Sequence, residues 1–406
     1  MTLEYFTPVT GLVGGALIGL SAAALLLLNG DILGASGLMS SFVVTPKSTL
    51  TDPSNQWKLF FVVSFFIVSR VFLWILPSAL DDVRTGIDPD IPIVSPLGFI
   101  LGGFLVGFGT RLGNGCTSGH GICGLARLSI RSMVGVVSFM ITGILFASVV
   151  PASNPHIRNT PDAMETYAPT TTTSVIVTVI VAIVGISALV GLTRKIPSSD
   201  STEGQLDELT NNRQKILPSI GGAILFAIGL FVSQMTVYSK IFGFLDVRLI
   251  AKGSWDPTLV IVMCGGFIVS FVSYQWVNGH NIITNSYALQ CPLSQKDTVG
   301  KFSVPTNKII DGKLVLGEAI FGLGWGMAGL CPGPAMVLAS AGYPNVLLRW
   351  WPMFFIGSLL AEKAKSLLSH YATSTHEVSS STKNDINDLS KRTLQGRDGH
   401  SKDEND

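Results

Sequence analysis

Charged side chains are scarce in this chain: Asp, Glu, Lys and Arg make up 13% of its 406 residues. A soluble domain carries about 25%. So little charge cannot cover a surface in water, which excludes a soluble globular protein and leaves most of the surface to face lipid. Neither sign of charge dominates, and a formal net charge of +1 gives no ground for a nucleic-acid partner. The five cysteines are odd in number and lie mainly inside or beside apolar segments, which excludes a secreted disulfide framework. The N-terminal run "MTLEYFTPVTGLVGGALIGLSAAALLLL" lacks a basic start and a cleavage site before polar sequence. It is therefore expected to be a first membrane span and not a removable signal.

What the chain has in quantity is apolar length. Crossing about 30 Å of hydrocarbon takes roughly 20 apolar residues in a helix. Nine windows meet this: Pro8–Leu28, Trp57–Leu76, Ile93–Leu112, Ser132–Val150, Ser174–Leu192, Ile216–Thr236, Pro257–Val277, Leu314–Leu330 and Val346–Leu360. Two apolar pieces, Asp31–Val44 and Ile241–Val247, are too short to cross and are expected to be re-entrant or interfacial. Basic residues near span ends orient the chain. With the N-terminus outside, inner loops carry Lys47, Lys58, Arg127, Arg131, Arg194, Lys195, Arg213, Lys215 and four lysines between Lys296 and Lys313. One outer loop runs against the rule, with Lys240, Arg248 and Lys252. The balance favours an outer N-terminus, a cytoplasmic C-terminus and a multi-pass protein of the plasma membrane.

The chain also repeats itself. "GGFLVGFGTRLGNGC" (Gly102–Cys116) and "GEAIFGLGWGMAGLC" (Gly317–Cys331) align on their cysteines, matching Gly102 with Gly317, Gly107 with Gly322 and Gly109 with Gly324. The first spans echo each other as "GGALIG" from Gly14 and "GGAILF" from Gly221. Five crossings, an odd number, separate the two repeat starts, so the second repeat is expected upside down. Inverted repeats build transporters, with substrate sites at the repeat interface near mid-membrane. The fold class expected is an all-α polytopic membrane protein with about nine transmembrane helices, short re-entrant helices and two inverted repeats. Its divisions are a first half over 1–193, a cytoplasmic linker over 194–215, the inverted second half over 216–362, and a disordered polar tail over 363–406.

Polar chemistry gathers at the ends of the repeated segments. Gly113, Gly115, Gly119 and Gly121 put four helix-weakening residues into nine positions, so the helix is expected to break there. "CPGP" (Cys331–Pro334) breaks the second segment with proline. Broken backbone at membrane depth is tolerated where it is buried in protein or lines a wet cavity. Short helices are expected to restart in "GLARLSI" and "AMVLASA", and free N–H groups at such starts attract anions. Arg111, Arg127 and Arg131 add positive charge to the first site alone, although the orientation rule also places arginines at an inner face. Cys116, His120 and Cys123 form a C-x3-H-x2-C pattern that lacks a fourth zinc ligand. Cys116 paired with Cys123 or Cys331 would suit a thiol oxidoreductase if the fold brings two thiols together. Cys264 and Cys291 read as small hydrophobes. Glu318 is either a proton carrier within a span or, four residues past Leu314, an interfacial group.

"GFGTRLGNGCTSGHGICGLARLS" and "FGLGWGMAGLCPGPA" resemble the two signature segments of the YeeE/YedE family, membrane proteins of the sulphur-transport domain. The resemblance covers about residues 8 to 362. It implies uptake of thiosulfate by a membrane protein without enzymatic activity or cofactor, in which cysteine thiols hand the ion along by S–H hydrogen bonds. By motif these cysteines fall on Cys116 and Cys331, and the pathway residues expected around them are Arg111, Gly115, Thr117, Ser118, Gly119, His120, Cys123 and Gly333. The family's further cysteine in the first span is missing here. The resemblance also implies a small cytoplasmic sulfur-carrier protein as a partner. Sulfide, sulfite or a selenium compound remains an alternative cargo, and a membrane thiol oxidoreductase or a metal-binding protein an alternative class.

Overall fold

The computed structural model describes residues 6–80, 93–149, 158–159, 214–278, 292–293 and 302–368. The expected span Ser174–Leu192, all but the last two residues of the linker, Cys291, and everything after 368 lie outside these. The described chain is helical apart from a two-residue antiparallel ladder pairing Ile93–Val94 with Arg158–Asn159. It forms an all-α polytopic membrane protein.

In chain order the helices are α1 (Pro8–Ala24), α2 (Ala35–Val44), α3 (Pro46–Thr51), α4 (Trp57–Ile75), α5 (Pro96–Gly113), α6 (Thr117–Gly124) and α7 (Ile130–Val149). There follow α8 (Ile216–Val232), α9 (Tyr238–Leu245), α10 (Arg248–Lys252), α11 (Thr258–Asn278), α12 (Gly312–Ala328) and α13 (Pro332–Ala341). Last comes α14, which opens as a wide turn over Val346–Trp350 and continues over 351–368. The chain divides into two compact units, Met1–Leu359 and Leu360–Asp406; of the second, residues 360–368 are helical. Residues 363–368 are thus helical, as the strong helix formers Ala, Glu, Lys and Leu in "AEKAKSLL" favour.

Among the described residues six stretches are long and apolar enough to cross a membrane: Pro8–Asn29, Trp57–Ile75, Pro96–Gly113, Ile130–Val149, Thr258–Val277 and Gly312–Ala341. The last is two helices, α12 and α13, parted at Gly329–Cys331. α8 is shorter, at 17 residues, and equally apolar. Helix α7 shows why lipid is the solvent. Its outward stripe is Val137, Ile141, Leu145 and Val149, all more than half exposed, while Ser132, Gly135, Gly143 and Ala147 face inward. A water-facing helix would show the reverse.

Small residues set the packing. In α5 and α12, Gly102 meets Gly324 and Ala328, Gly109 meets Gly317 and Phe321, and Gly113 meets Gly317. Rising numbers in one helix meet falling numbers in the other, so the two run antiparallel with backbones nearly touching. Glycine permits that approach. α1 and α8 pair likewise through Gly14 against Gly229 and Ser233. Around these pairs the halves interlock: α1 packs on α11 and α8 on α4, while α12 packs on α7 and α5 on α14.

Two buried ion pairs fasten the helix starts. Lys215 Nζ, at the start of α8, lies 2.9 Å from Asp31 after α1. Lys240 Nζ, after α8, lies 3.0 Å from Asp256 and 3.1 Å from the Thr7 hydroxyl before α1. Arg248 pairs with Asp246 at 2.6 Å. Two of the basic residues that ran against the orientation rule are thus partnered by aspartate.

Candidate substrate pathway

Both signature helices end and restart in the same way. α5 stops at Asn114 and α12 at Gly329, each in the left-handed conformation (φ 65° and 63°). Glycine and asparagine are the residues that enter that region most readily. Two residues later Cys116 and Cys331 are extended and cap the next helix. Their carbonyls accept the first bonds of that helix, from His120 N at 2.8 Å and Ala335 N at 3.1 Å. Neither thiol caps its own helix, so both sulfurs stay available beside free N–H groups.

The restarts come earlier than the sequence suggests. α6 begins at Thr117 and α13 at Pro332, not within "GLARLSI" or "AMVLASA". Gly119 and Gly121 do not break the chain but sit inside α6, which is wound as a wide π-helix. Such widening is frequent at functional sites. The break itself is confined to Asn114–Cys116.

Two cavities flank this backbone. A polar one, of about 170 Å³, is lined by Arg111, Gly115, Gly119, His120, Cys123 and Arg127, with Asn114, Ser36 and Ser40. A smaller apolar one, of about 60 Å³, is lined by Cys116, Thr117, Ser118, Cys331 and Gly333, with Trp325, Met235 and Met263. Gly115 and Gly119 face one cavity while Cys116, Thr117 and Ser118 face the other, so the strip Gly115–Gly119 is the partition. The ten site residues expected from sequence are distributed between these two spaces, five to each.

In the apolar cavity the Cys116 Sγ lies 3.2 Å from the Ser118 hydroxyl, which also accepts from Ala35 N at 3.2 Å. Thr117 and the Cys331 thiol line the same space. Cys116 and Cys331 thus approach one space from opposite halves. Cys123 donates to the Leu33 carbonyl at 3.4 Å and belongs to the polar side. Cys264, read as a buried hydrophobe, is exposed on α11, where lipid is its neighbour. Among the described residues no three His, Cys, Asp or Glu side chains gather as metal ligands, which leaves the Cys116–His120–Cys123 pattern without support as a zinc centre.

Arg127 and Arg131 are engaged in holding chain. Arg127 donates to the Pro305 carbonyl at 2.7 Å, and Arg131 donates to the Ile309 carbonyl and to Asp311 at 2.9 Å. Partial burial works to raise the Asp311 carboxyl, but the hydrogen bond and charge of Arg131 outweigh it and hold it below the ordinary carboxylate value. This clamp is present above the ordinary value and is lost as pH falls through the lowered one. Arg127 also lines the polar cavity, and its buried Nε has no hydrogen-bond partner.

Glu318 is fully buried, not interfacial, and its Oε1 lies 3.2 Å from His120 Nε2. Nothing in the sequence links these residues, which are far apart along the chain. Trp325 also escaped sequence reasoning. It lines the cysteine cavity, and its buried indole N–H has no partner. The matched position in the first repeat is Thr110, so the repeat pattern gave no hint of it. Ser21, in the span that lacks the family's further cysteine, donates to the Gly222 carbonyl at 2.7 Å and holds α1 to α8.

Known proteins divide this chain at the same place as its internal repeat. The sulphur-transport family model matches residues 4–146, and a family of unknown function, DUF6691, matches residues 215–371. One probable transporter of Xylella fastidiosa (strain Temecula1) is 36% identical over 130 residues, covering 32% of this chain and 77% of that protein. A second from the same strain is 38% identical over 145 residues, covering 36% of this chain and 94% of its own length. Each relative is thus less than half as long as this chain. The motif segments, the membrane helices and these relatives agree: the chain belongs to the YeeE/YedE-like sulphur-transport family of membrane transporters.

Proposed function

We propose that the chain imports thiosulfate, or a closely related small sulfur anion, through the two cavities, with Cys116 and Cys331 donating to it in turn. One observation carries this reading. Two thiols, each at the start of a restarting helix, line a single cavity from opposite halves. Thiosulfate is a small dianion with a soft terminal sulfur. Helix-start N–H groups suit its oxygens, and a neutral S–H donates weakly to its sulfur without trapping it. The Ser118 hydroxyl holds the Cys116 thiol in place, and the indole N–H of Trp325 supplies a donor where the family's further cysteine is missing.

The antiparallel contacts support the inverted repeat. Gly102 meets Gly324 while the matched pair, Gly109 and Gly317, meet each other in return. Reciprocal contacts between matched positions are what a pseudo-two-fold axis in the membrane produces. In this reading the chain makes nine crossings with an outer N-terminus. The polar cavity, with Arg111 and Arg127, is then the cytoplasmic vestibule of a plasma-membrane importer, and a sulfur-carrier protein receives the ion there. The divisions at 193, 215 and 362 are those of the repeats.

The test is uptake of labelled thiosulfate by a host lacking its own importers, with sulfate, sulfite and sulfide as competitors. Uptake above the empty host, reduced by unlabelled thiosulfate and not by sulfate, is expected. Equal uptake with and without the protein would refute the reading.

A further inference from the structure

Glu318 sits in the middle of a crossing helix with no exposed surface. Neither of its carboxylate oxygens receives a well-formed hydrogen bond. Among the described residues its close polar partner is His120 Nε2, at 3.2 Å. His120 is buried too, with Nδ1 3.0 Å from the Ser132 hydroxyl. An ionised carboxylate this poorly solvated is costly alone, so the two groups share at least one proton, as carboxylic acid beside imidazole or as carboxylate beside imidazolium. Either way the pair is neutral. A second proton makes it cationic without moving any backbone.

The surroundings keep a place for this pair. A side chain at Gly113 would collide with Glu318 and one at Gly115 with His120, while Gly135 leaves room for both at 3.4 Å. Of the other charged groups on elements packed against α12, Arg131 on α7 is tied to Asp311 and Lys240 on α9 is tied to Asp256. Arg111, in the last turn of α5, lines the polar cavity beside His120. The matched positions in the other repeat are Gly103 and Ala335, neither titratable. The pair thus occurs once, on one side of the pseudo-symmetric core.

We propose that His120 and Glu318 form a proton-binding site coupled to the anion, so that a sulfur anion in the adjoining polar cavity binds together with one proton. This rests on the reading of that cavity as an anion path. His120 reaches the cavity wall, so water there supplies the proton, and the pair gains one positive charge beside a dianion. Opposite charge favours the charged form, and by reciprocity the protonated pair strengthens anion binding by the same factor. Over the pH range in which the pair takes up this proton, affinity rises by up to about tenfold for each unit fall in pH.

Calorimetric titration of the purified full-length protein with thiosulfate, in buffers of different ionisation enthalpy, counts protons bound per anion. Close to one proton per anion is expected at the pH where thiosulfate affinity varies most steeply. E318Q is expected to reduce that count towards zero and flatten the pH dependence of affinity. S132A, which removes the hydroxyl from His120 Nδ1, is expected to shift the pH midpoint and leave the count intact. Thiosulfate binding with no proton uptake, or with a count unchanged in a monodisperse E318Q protein, overturns the proposal and leaves the cargo reading standing. If E318Q does not fold, the wild-type count alone decides. If sulfite or sulfide binds with one proton and thiosulfate does not bind, the coupling stands and the cargo is revised. If none of these anions binds, both readings fall.

Discussion

Close approach of α5 and α12 makes a quantitative prediction for Gly109→Ala. A methyl group there would lie 2.7 Å from Phe321 Cα and 2.6 Å from the Gly317 carbonyl oxygen, both backbone atoms that cannot rotate away. Ordinary contact starts at 3.4 Å and the Phe321 backbone nitrogen lies nearer than either atom, so the helices must part by at least about 0.8 Å. A gap of that size forfeits about a quarter to a half of the dispersion attraction between the atoms it separates, and overpacking of this kind costs about 1–3 kcal/mol. Gly221→Ala is the control. Nothing lies within 4 Å of a methyl group there, and alanine inside a helix is favoured by about 1 kcal/mol over glycine. Thermal unfolding of the two variants in the same detergent should move in opposite directions, Gly109→Ala downward and Gly221→Ala level or upward. Equal shifts would show that the glycines of α5 do not set the helix spacing, and the packing account of the fold would fail.

Three further outcomes follow from named contacts. Trp325→Phe keeps the ring packing on Phe139 and Phe321 but removes the indole N–H. Uptake should fall several-fold with no loss of stability, and unchanged uptake would remove Trp325 from the path. Arg131→Ala releases the segment before α12 and should lower thermal stability by about 1 kcal/mol, the scale of a part-buried, solvent-screened ion pair with an added hydrogen bond. Its uptake per folded molecule should change less than that of Gly115→Val, and a larger uptake loss at matched expression would give the arginine a substrate role. Because helices of each half pack on helices of the other, residues 1–200 and 201–406 expressed together should rebuild uptake while neither does so alone. A functional single half would contradict the interlocked packing.

The glycines and cysteines were the most legible part of the chain, because their reason is steric and local. A run of glycines before a cysteine, twice, marks close helix contact and a break, and both occur. The length of the break was not legible. Asn114 takes the left-handed position that Gly329 takes in the other half, and asparagine does not announce that in a sequence already crowded with glycine. Nor was the wide winding of α6, since a π-helix has no period that one turn can display. The His120–Glu318 contact joins two halves across an antiparallel pair of helices, and only the packing of Gly113 and Gly317 brings it about. Exposure of Cys264 went unread for a related reason. In a membrane helix both faces are apolar, so hydrophobicity does not tell the lipid side from the buried one.

The most direct measurement of the central claim is the initial rate of labelled thiosulfate uptake by Cys116→Ala and Cys331→Ala at matched membrane expression. Both thiols line the same cavity and neither caps a helix, so their removal should leave the fold intact. Uptake should fall to the level of the empty host in each variant, while Cys264→Ala, on the exposed face of α11, should keep the parental rate. Parental uptake by both Cys116→Ala and Cys331→Ala would contradict a path in which these two thiols pass the anion along.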